Sequence, residues 1–223
     1  MRPAAPLEDF MLTVHHLGVS QSERIVWLCE ELGVPYELKV YDRDPVTRLG
    51  PPEYKALHPL GTAPIITDGD VVLPESGAII EYIIGKYGNG RLSVGPEAPN
   101  YADYLFWFHF ANGSMMPSQM RMMFLNMAGG SADDPRARFM RERAETPWRM
   151  VEERLGEVPY FAGDEFTAAD IIMGFILTTM RAFVARDLSD QPNIRAYLKR
   201  IGERPAYQRA MAKGDPKMAP MLS

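Results

Sequence analysis

Cysteine occurs once in this chain, at Cys29, so no disulfide can form within it and a reducing compartment is the expected setting. No stretch approaches the roughly 18 apolar residues that span a bilayer, and the opening MRPAAPLEDF lacks the apolar centre of a secretory signal. Basic charge is not in surplus either. Against 29 Asp and Glu stand 24 Lys and Arg, a net charge of −5, whereas a nucleic-acid binder carries a basic excess or stripe. Arginines do gather between Arg136 and Arg154, but Glu142, Glu145, Glu152 and Glu153 are interleaved with them, as on a solvated helix face. The four histidines (His15, His16, His58, His109) lack zinc-ligand spacing, and no phosphate loop or dinucleotide fingerprint is present. The expectation is a cytoplasmic protein with no metal and with neither nucleic acid nor membrane as partner.

What is present suits a folded protein: 46% hydrophobic and 24% charged residues over 223 positions, enough for one large or two compact domains. Residues 1–10 read as an extension, because regular patterning begins at Met11. Leu12–His15 reads as a strand, followed by a loop from His16 to Gln21. Ile25, Leu28, Cys29 and Leu32 recur at helical spacing, predicting a helix over Ser22–Leu32 that Gly33 and Pro35 stop. Glu37–Tyr41 alternates as a second strand, and a short helix fits Glu53–Leu57. Ile65–Thr67 and Val71–Leu73 flank Asp68–Gly69–Asp70, a hairpin signal. A helix then opens at Pro74–Glu75–Ser76, with Ile79, Ile80, Ile83, Ile84 and Tyr87 on its apolar face.

Residues 91–97, rich in Gly and Pro, read as a linker, and beyond them only helical patterns recur. These cover about Tyr101–Met127, broken near Gly113–Pro117, then Pro135–Leu155, Ala168–Ala182, Ile194–Arg204 and Ala206–Lys213. The fold class is therefore α/β plus all-α, with a first domain over 11–90 and a helical one over 98–223.

Three segments carry chemistry. The loop Val19–Arg24 leads into a helix N-terminus, whose unsatisfied amides and dipole favour an anion. A thiol held there ionises more readily, and a Ser hydroxyl donating to the sulfur adds to this. Ser20 is the chosen hydroxyl and Ser22 its rival; either can instead cap the helix. The second segment is Thr62–Ala63–Pro64–Ile65, where a cis bond before Pro64 would free the backbone of Ala63 to pair with an extended peptide. The third is Glu75–Ser76, where the helix amides and a hydroxyl can hold a carboxylate and Glu75 can receive an ammonium group. Taken alone, that pair is equally an ordinary cap.

Together these segments resemble the cytosolic glutathione transferases of Ser type over essentially the whole chain after Met11. Leu12–His58 is similar to their βαβ opening, His58–Pro64 to the segment around their cis-proline, and Leu73–Ile80 to their Glu-Ser glutathione motif. Tyr160–Asp170 resembles the family's buried helix-capping motif, with Thr167 and Asp170 placed for a capping box. The resemblance implies a thioredoxin-like first domain (βαβ–ββα) and a C-terminal helical bundle. It implies glutathione as cosubstrate, with Ser20 activating the thiol. Ala63 would pair with the cysteinyl unit beside Ser22, Thr62 and Pro64, while Glu75 and Ser76 would hold the γ-glutamyl end. It also implies a homodimer. The loop offers no Tyr or Cys in place of the serine, which disfavours thiol-disulfide chemistry. Many bacterial relatives carry Lys where Thr62 stands, so the glycyl carboxylate needs another partner here.

Methionines crowd residues 115–127 beside Phe106, Trp107, Phe108 and Phe110. Flexible thioethers near aromatic rings suit a pocket for varied apolar ligands, and equally suit plain core packing. Phe108, Met115, Met116 and Met120 are the candidates for a hydrophobic electrophile. Cys29 falls on the inner face of its helix, as inert core. Two functional alternatives stay open: an ether-cleaving or peroxide-reducing enzyme on the same site, and a non-catalytic carrier or interaction module.

Overall fold

A computed structural model describes residues 12–129 and 134–223; the extension expected over residues 1–10 lies outside them. The described residues divide into two compact units. One comprises the residues up to Arg91 with Arg209–Met218, the other Leu92–Gln208 with Ala219–Ser223.

In the first unit, β1 (Thr13–Leu17), α1 (Glu23–Leu32) and β2 (Glu37–Tyr41) are followed by α2 (Pro52–Lys55), β3 (Ile65–Asp68), β4 (Val71–Pro74) and α3 (Ser76–Lys86). The four strands form one sheet in the order β2-β1-β3-β4. β1 and β2 are parallel, while β1–β3 and β3–β4 are antiparallel. This is the thioredoxin-like βαβ–ββα arrangement. β1 runs further than the sequence pattern indicated: His16 and Leu17, read as loop, pair with Val40 and Tyr41. The polar pair His15–His16 interrupts the apolar run on which a strand is recognised, but ladder pairing with β2 does not depend on side-chain polarity.

Because successive side chains alternate across a strand, the two histidines face opposite ways. His15 lies on the face of Leu17, Tyr41, Tyr54 and Ile65, an apolar cluster, and reaches Tyr41 Oη at 2.9 Å and Thr67 Oγ1 at 3.1 Å. Burial, with Lys39 adding and Glu37 opposing, lowers the His15 pKa. His16 shares the other face with Val14; both are fully buried. α1 and α3 contact one another and carry the buried Ile25, Val26, Leu28, Ile79, Ile80 and Ile83. Gly33 ends α1 in the left-handed region at φ 66°, its amide returning to the Cys29 carbonyl, a conformation that glycine reaches without a Cβ clash. The β3–β4 hairpin turns at Gly69–Asp70, again with a left-handed glycine (φ 58°). Tyr87 closes α3 rather than extending its apolar face, and its hydroxyl meets Asp68 Oδ2 at 2.6 Å.

The second unit is helical: α4 (Tyr101–Phe110), α5 (Met116–Met127), α6 (Pro135–Glu157), α7 (Ala168–Leu177), α8 (Pro192–Gly202) and the start of α9 (Pro205–Gly214). The break expected near Gly113–Pro117 is a π-helical turn, Ala111–Met115, that joins α4 to α5 without ending the helical path. Pro117 has no amide to donate back, so the hydrogen-bond register must shift there. α7 is buried along its whole length. Thr167 and Asp170 form the anticipated capping box, and Asp170 also accepts from the Phe161 amide at 3.0 Å and Tyr197 Oη at 3.2 Å. The helix expected to reach Ala182 stops at Leu177, and a separate 3₁₀ turn, Thr179–Ala182, follows Thr178, whose backbone is not helical.

Candidate functional site

The ladder register brings three sequence segments to one end of the sheet. His15 of β1 pairs with Ile65 of β3, and Ile65 with Pro74 of β4. β1 leaves the sheet at that end toward Ser20; β3 enters it there from Ala63–Pro64; β4 leaves it there into Glu75–Ser76. The Ala63–Pro64 peptide bond is cis. Thr62 is exposed and Ala63 half-buried.

Ser20 and Ser22 are joined, Oγ to Oγ, at 2.7 Å. Ser22 stands at the N-cap position of α1, yet its side chain makes no capping bond. Its hydroxyl points inward instead, 2.9 Å from His16 Nδ1, and accepts from the Leu17 amide at 3.1 Å. Ser20 Oγ accepts from the Ser22 amide at 3.3 Å. Both serines are buried, Ser22 fully and Ser20 at 5% exposure, so Ser20 is the outer member of the pair.

Val19, just before Ser20, has φ 52°, which a β-branched residue adopts only under constraint, at a cost of about 1–3 kcal/mol. The constraint is visible. The Val19 amide donates to Asp215 Oδ1 at 2.8 Å, and Arg43 donates to the Val19 carbonyl at 3.0 Å and the Gly18 carbonyl at 2.7 Å. The second oxygen of Asp215 lies 3.1 Å from His16 Nε2. Asp215 belongs to the Arg209–Met218 segment, which Arg209 and Lys213 tie to Glu30 of α1 at 2.9 and 2.5 Å.

Glu75 also has a positive φ, 75°, and is exposed. The first helical bond of α3 is Ile79 N–H to the Glu75 carbonyl. The amides of Ser76, Gly77 and Ala78 therefore have no acceptor within the helix, a setting suited to an anion. Ser76 is buried, and its Oγ accepts from Arg24 Nη1 at 3.0 Å, which leaves its own proton available for donation. Arg24 is fully buried, bonds Gln21 Oε1 at 2.7 Å through the same nitrogen, and links the starts of α1 and α3. Desolvation lowers its pKa to about 9, against the charge of Glu23.

The pocket candidates lie in the helical unit. Met115 is fully buried, Phe108 and Met116 nearly so, and Met120 half-buried. Two concavities of that unit, of about 440 and 390 Å³, are lined by Phe110, Gly113 and Ser114 in common, and none of the four candidates lines either. Cys29 is buried; desolvation, with Glu30 adding and Lys213 opposing, pushes its thiol up to about 12. Among the described residues no helix is long and apolar enough to cross a membrane.

Sequence reasoning missed His16, Arg24, Arg43 and Asp215 as members of this sheet end. Arg24 sits at a helical position among apolar residues, a charged residue on a buried face, and that signal was legible. Asp215 is about 200 positions from His16 in the chain and has no local signal.

A thioredoxin-like sheet that presents a serine loop, a cis-proline and an anion-receptive helix start at one end, followed in the chain by a helical unit, is the arrangement expected of the family that the sequence resembles. Comparison with known proteins agrees. The glutathione S-transferase N-terminal domain model matches residues 20–84 and the C-terminal domain model residues 123–205. Glutathione S-transferase 3 of Schizosaccharomyces pombe is 33% identical over 228 residues, 96% of this chain and 92% of its own. A solved glutathione S-transferase from Actinobacillus pleuropneumoniae superposes with a TM-score of 0.84 at 33% identity, over 94% of this chain and 97% of its own. The glutathione transferase URE2P8 of Phanerochaete chrysosporium, solved with oxidised glutathione, shares the fold: TM-score 0.73, 21% identity, 95% of this chain and 98% of its own. The chain belongs to the glutathione S-transferase family and is an enzyme of that class.

Proposed function

We propose that this chain binds glutathione at the described sheet end and activates its thiol as thiolate for attack on a hydrophobic electrophile. The observation that carries the reading is the register His15–Ile65–Pro74, which sends the Ser20 loop, Ala63–Pro64 and Glu75–Ser76 out of the sheet side by side. Ser20 is the hydroxyl that donates to the sulfur, since Ser22 is turned inward to His16. Ala63, between Thr62 and Pro64, pairs through its backbone with the cysteinyl unit. Ser76 and the first amides of α3 hold the γ-glutamyl carboxylate, and Glu75 its ammonium group. The thiolate then forms a sulfur–carbon bond while a halide leaves with the bonding electrons, or adds across a polarised double bond whose carbanion takes a proton from water. Phe108, Met115, Met116 and Met120 are assigned to the electrophile, with half-buried Met120 offering the most surface. A cytoplasmic homodimer with a detoxifying role completes the reading.

Calorimetry with glutathione and turnover of a model electrophile test it, on the parent, Ser20→Ala and Glu75→Ala. Ser20→Ala is expected to keep binding and lose turnover by about 10²-fold or more. Glu75→Ala is expected to weaken binding by about tenfold, near 1.4 kcal/mol. A parent that binds glutathione without turning over any electrophile favours the carrier reading, and one that binds none overturns both.

A further inference from the structure

Behind Ser20 runs an unbroken file of hydrogen-bonding groups: Ser20 Oγ, Ser22 Oγ at 2.7 Å, His16 Nδ1 at 2.9 Å, and from His16 Nε2 to Asp215 Oδ2 at 3.1 Å. We propose that His16, anchored by Asp215, receives the thiol proton of bound glutathione through the hydroxyls of Ser20 and Ser22. The inference rests on the assignment of Ser20 to the sulfur.

An ionised Asp215 only accepts, so His16 Nε2 carries a proton toward it, and in the neutral ring Nδ1 is then an acceptor. In that state the Ser22 hydroxyl has two inward acceptors, Nδ1 at 2.9 Å and the Leu17 carbonyl at 3.3 Å, and the nearer Nδ1 takes its proton, while the Ser20 hydroxyl can donate to Ser22. When a thiol S–H meets Ser20 Oγ, its proton passes to Ser20, the Ser20 proton to Ser22, and the Ser22 proton to Nδ1. Three bonds to hydrogen break and three form. The result is a thiolate, two intact hydroxyls now donating outward, and an imidazolium paired with the Asp215 carboxylate. A Ser-His-Asp arrangement uses the same division of labour, with the carboxylate fixing the tautomer and stabilising the imidazolium.

The surroundings favour this arrangement. Burial raises the Asp215 carboxyl pKa, but the hydrogen bond from His16, the charge of that ring once it is protonated, the Val19 amide and Arg43 outweigh it and hold it below the ordinary range. Asp215 opens on a cavity of about 700 Å³ whose other charged lining groups are Asp42, Arg43, Arg48 and Lys217. Gly214 packs on the ring: a Cβ there would stand 3.1 Å from His16 Nε2. One carboxylate thus sets both the loop that carries Ser20, through Val19, and the ring that takes the proton. His16 and Asp215 act through Ser20 and are positioning residues.

The first test uses the parent chain. Nitrogen NMR of the His16 ring is recorded without ligand, with glutathione, and with S-methylglutathione, which has no thiol proton to give. Glutathione alone is expected to add a proton at Nδ1. The second test reads the ultraviolet absorbance of the bound thiolate against pH in the parent, Asp215→Asn and Ser22→Ala. Each variant is expected to raise the pKa of the bound thiol by about one unit or more, a tenfold loss of thiolate below that pKa. KM for glutathione is expected to stay near the parent value while kcat falls. The relay is overturned if the His16 ring stays singly protonated with glutathione bound, or if the bound thiol titrates in both variants as in the parent. In either case the role of Ser20 stands. A parent that binds no glutathione in calorimetry removes the relay together with the site assignment.

Discussion

Arg24 in the first turn of α1 donates to Ser76 at the first position of α3, Nη1 to Oγ, at 3.0 Å. The pair couples the two helix starts that face the proposed ligand, and it orients the Ser76 hydroxyl by occupying one lone pair. Removing the guanidinium deletes charge-assisted hydrogen bonds worth about 1.5–3 kcal/mol each, but it also relieves the cost of keeping a charge fully buried. These terms nearly cancel for a substitution of similar volume. Arg24→Met should therefore change stability by no more than about 1 kcal/mol while weakening glutathione about tenfold. Urea unfolding and calorimetry measure the two quantities. A stability loss with unchanged affinity would give Arg24 a purely structural role.

Asp170 holds the start of α7, accepting from the amides of Thr167 and Phe161 and from Tyr197. Asp170→Ala strands these buried donors and should cost about 3 kcal/mol or more. Urea midpoints at neutral pH read that loss; a cost under 1 kcal/mol would mean that the box is dispensable.

The same carboxyl sets a pH dependence. Burial raises its pKa from 3.8 to about 6, although four hydrogen bonds from Thr167, Phe161 and Tyr197 pull it down. The folded chain therefore binds a proton more tightly than the unfolded one. Its contribution to stability is fully present below the unfolded value and is lost as pH rises through about 6. Asp170→Asn cannot titrate, so the stability of the parent minus that of the variant should fall between these two pH values. A flat difference contradicts the assignment.

Asp68 behaves with the opposite sign. Its buried carboxylate accepts from Tyr82 at 2.8 Å, Lys86 at 2.6 Å and Tyr87 at 2.6 Å, clasping the β3–β4 hairpin to α3. Burial raises its pKa, but these three bonds win and lower it. Its stabilisation is present above the unfolded carboxylate range and is lost as pH falls through the folded value. Asp68→Asn should destabilise the parent by about 1–3 kcal/mol at neutral pH and by less in acid. Equal losses at both pH values would exclude the charged clasp.

Thr62 is exposed and brings no charge to its end of the sheet. A cation placed there should meet the glycyl carboxylate of bound glutathione in a solvated setting, where an ion pair is worth about 0.2–1 kcal/mol. Thr62→Lys is thus expected to tighten glutathione binding by up to about fivefold, more at low salt than at high. Calorimetry at two ionic strengths decides it; no change at low salt would mean that another group already holds that carboxylate.

Local physics made most of the fold legible. Apolar spacing marked α1, α3 and the later helices; Gly33 and the Asp68–Gly69–Asp70 turn punctuated them; Thr167 and Asp170 announced their own capping box. The Ser20 loop, Ala63–Pro64 and Glu75–Ser76 were likewise visible, because each is a contiguous run whose chemistry depends on its immediate neighbours. The tertiary structure alone decided what depends on distant partners. It extended β1 through His16 by pairing it with Val40, turned the break before Pro117 into a π-helical turn, and aimed Ser22 inward rather than at its own helix. It also returned Arg209–Met218 to the first unit and set Asp215 against both Val19 and His16. A hydrogen bond between residues so far apart in the chain leaves no periodicity and no spacing to read; it exists only because packing brings the two ends together.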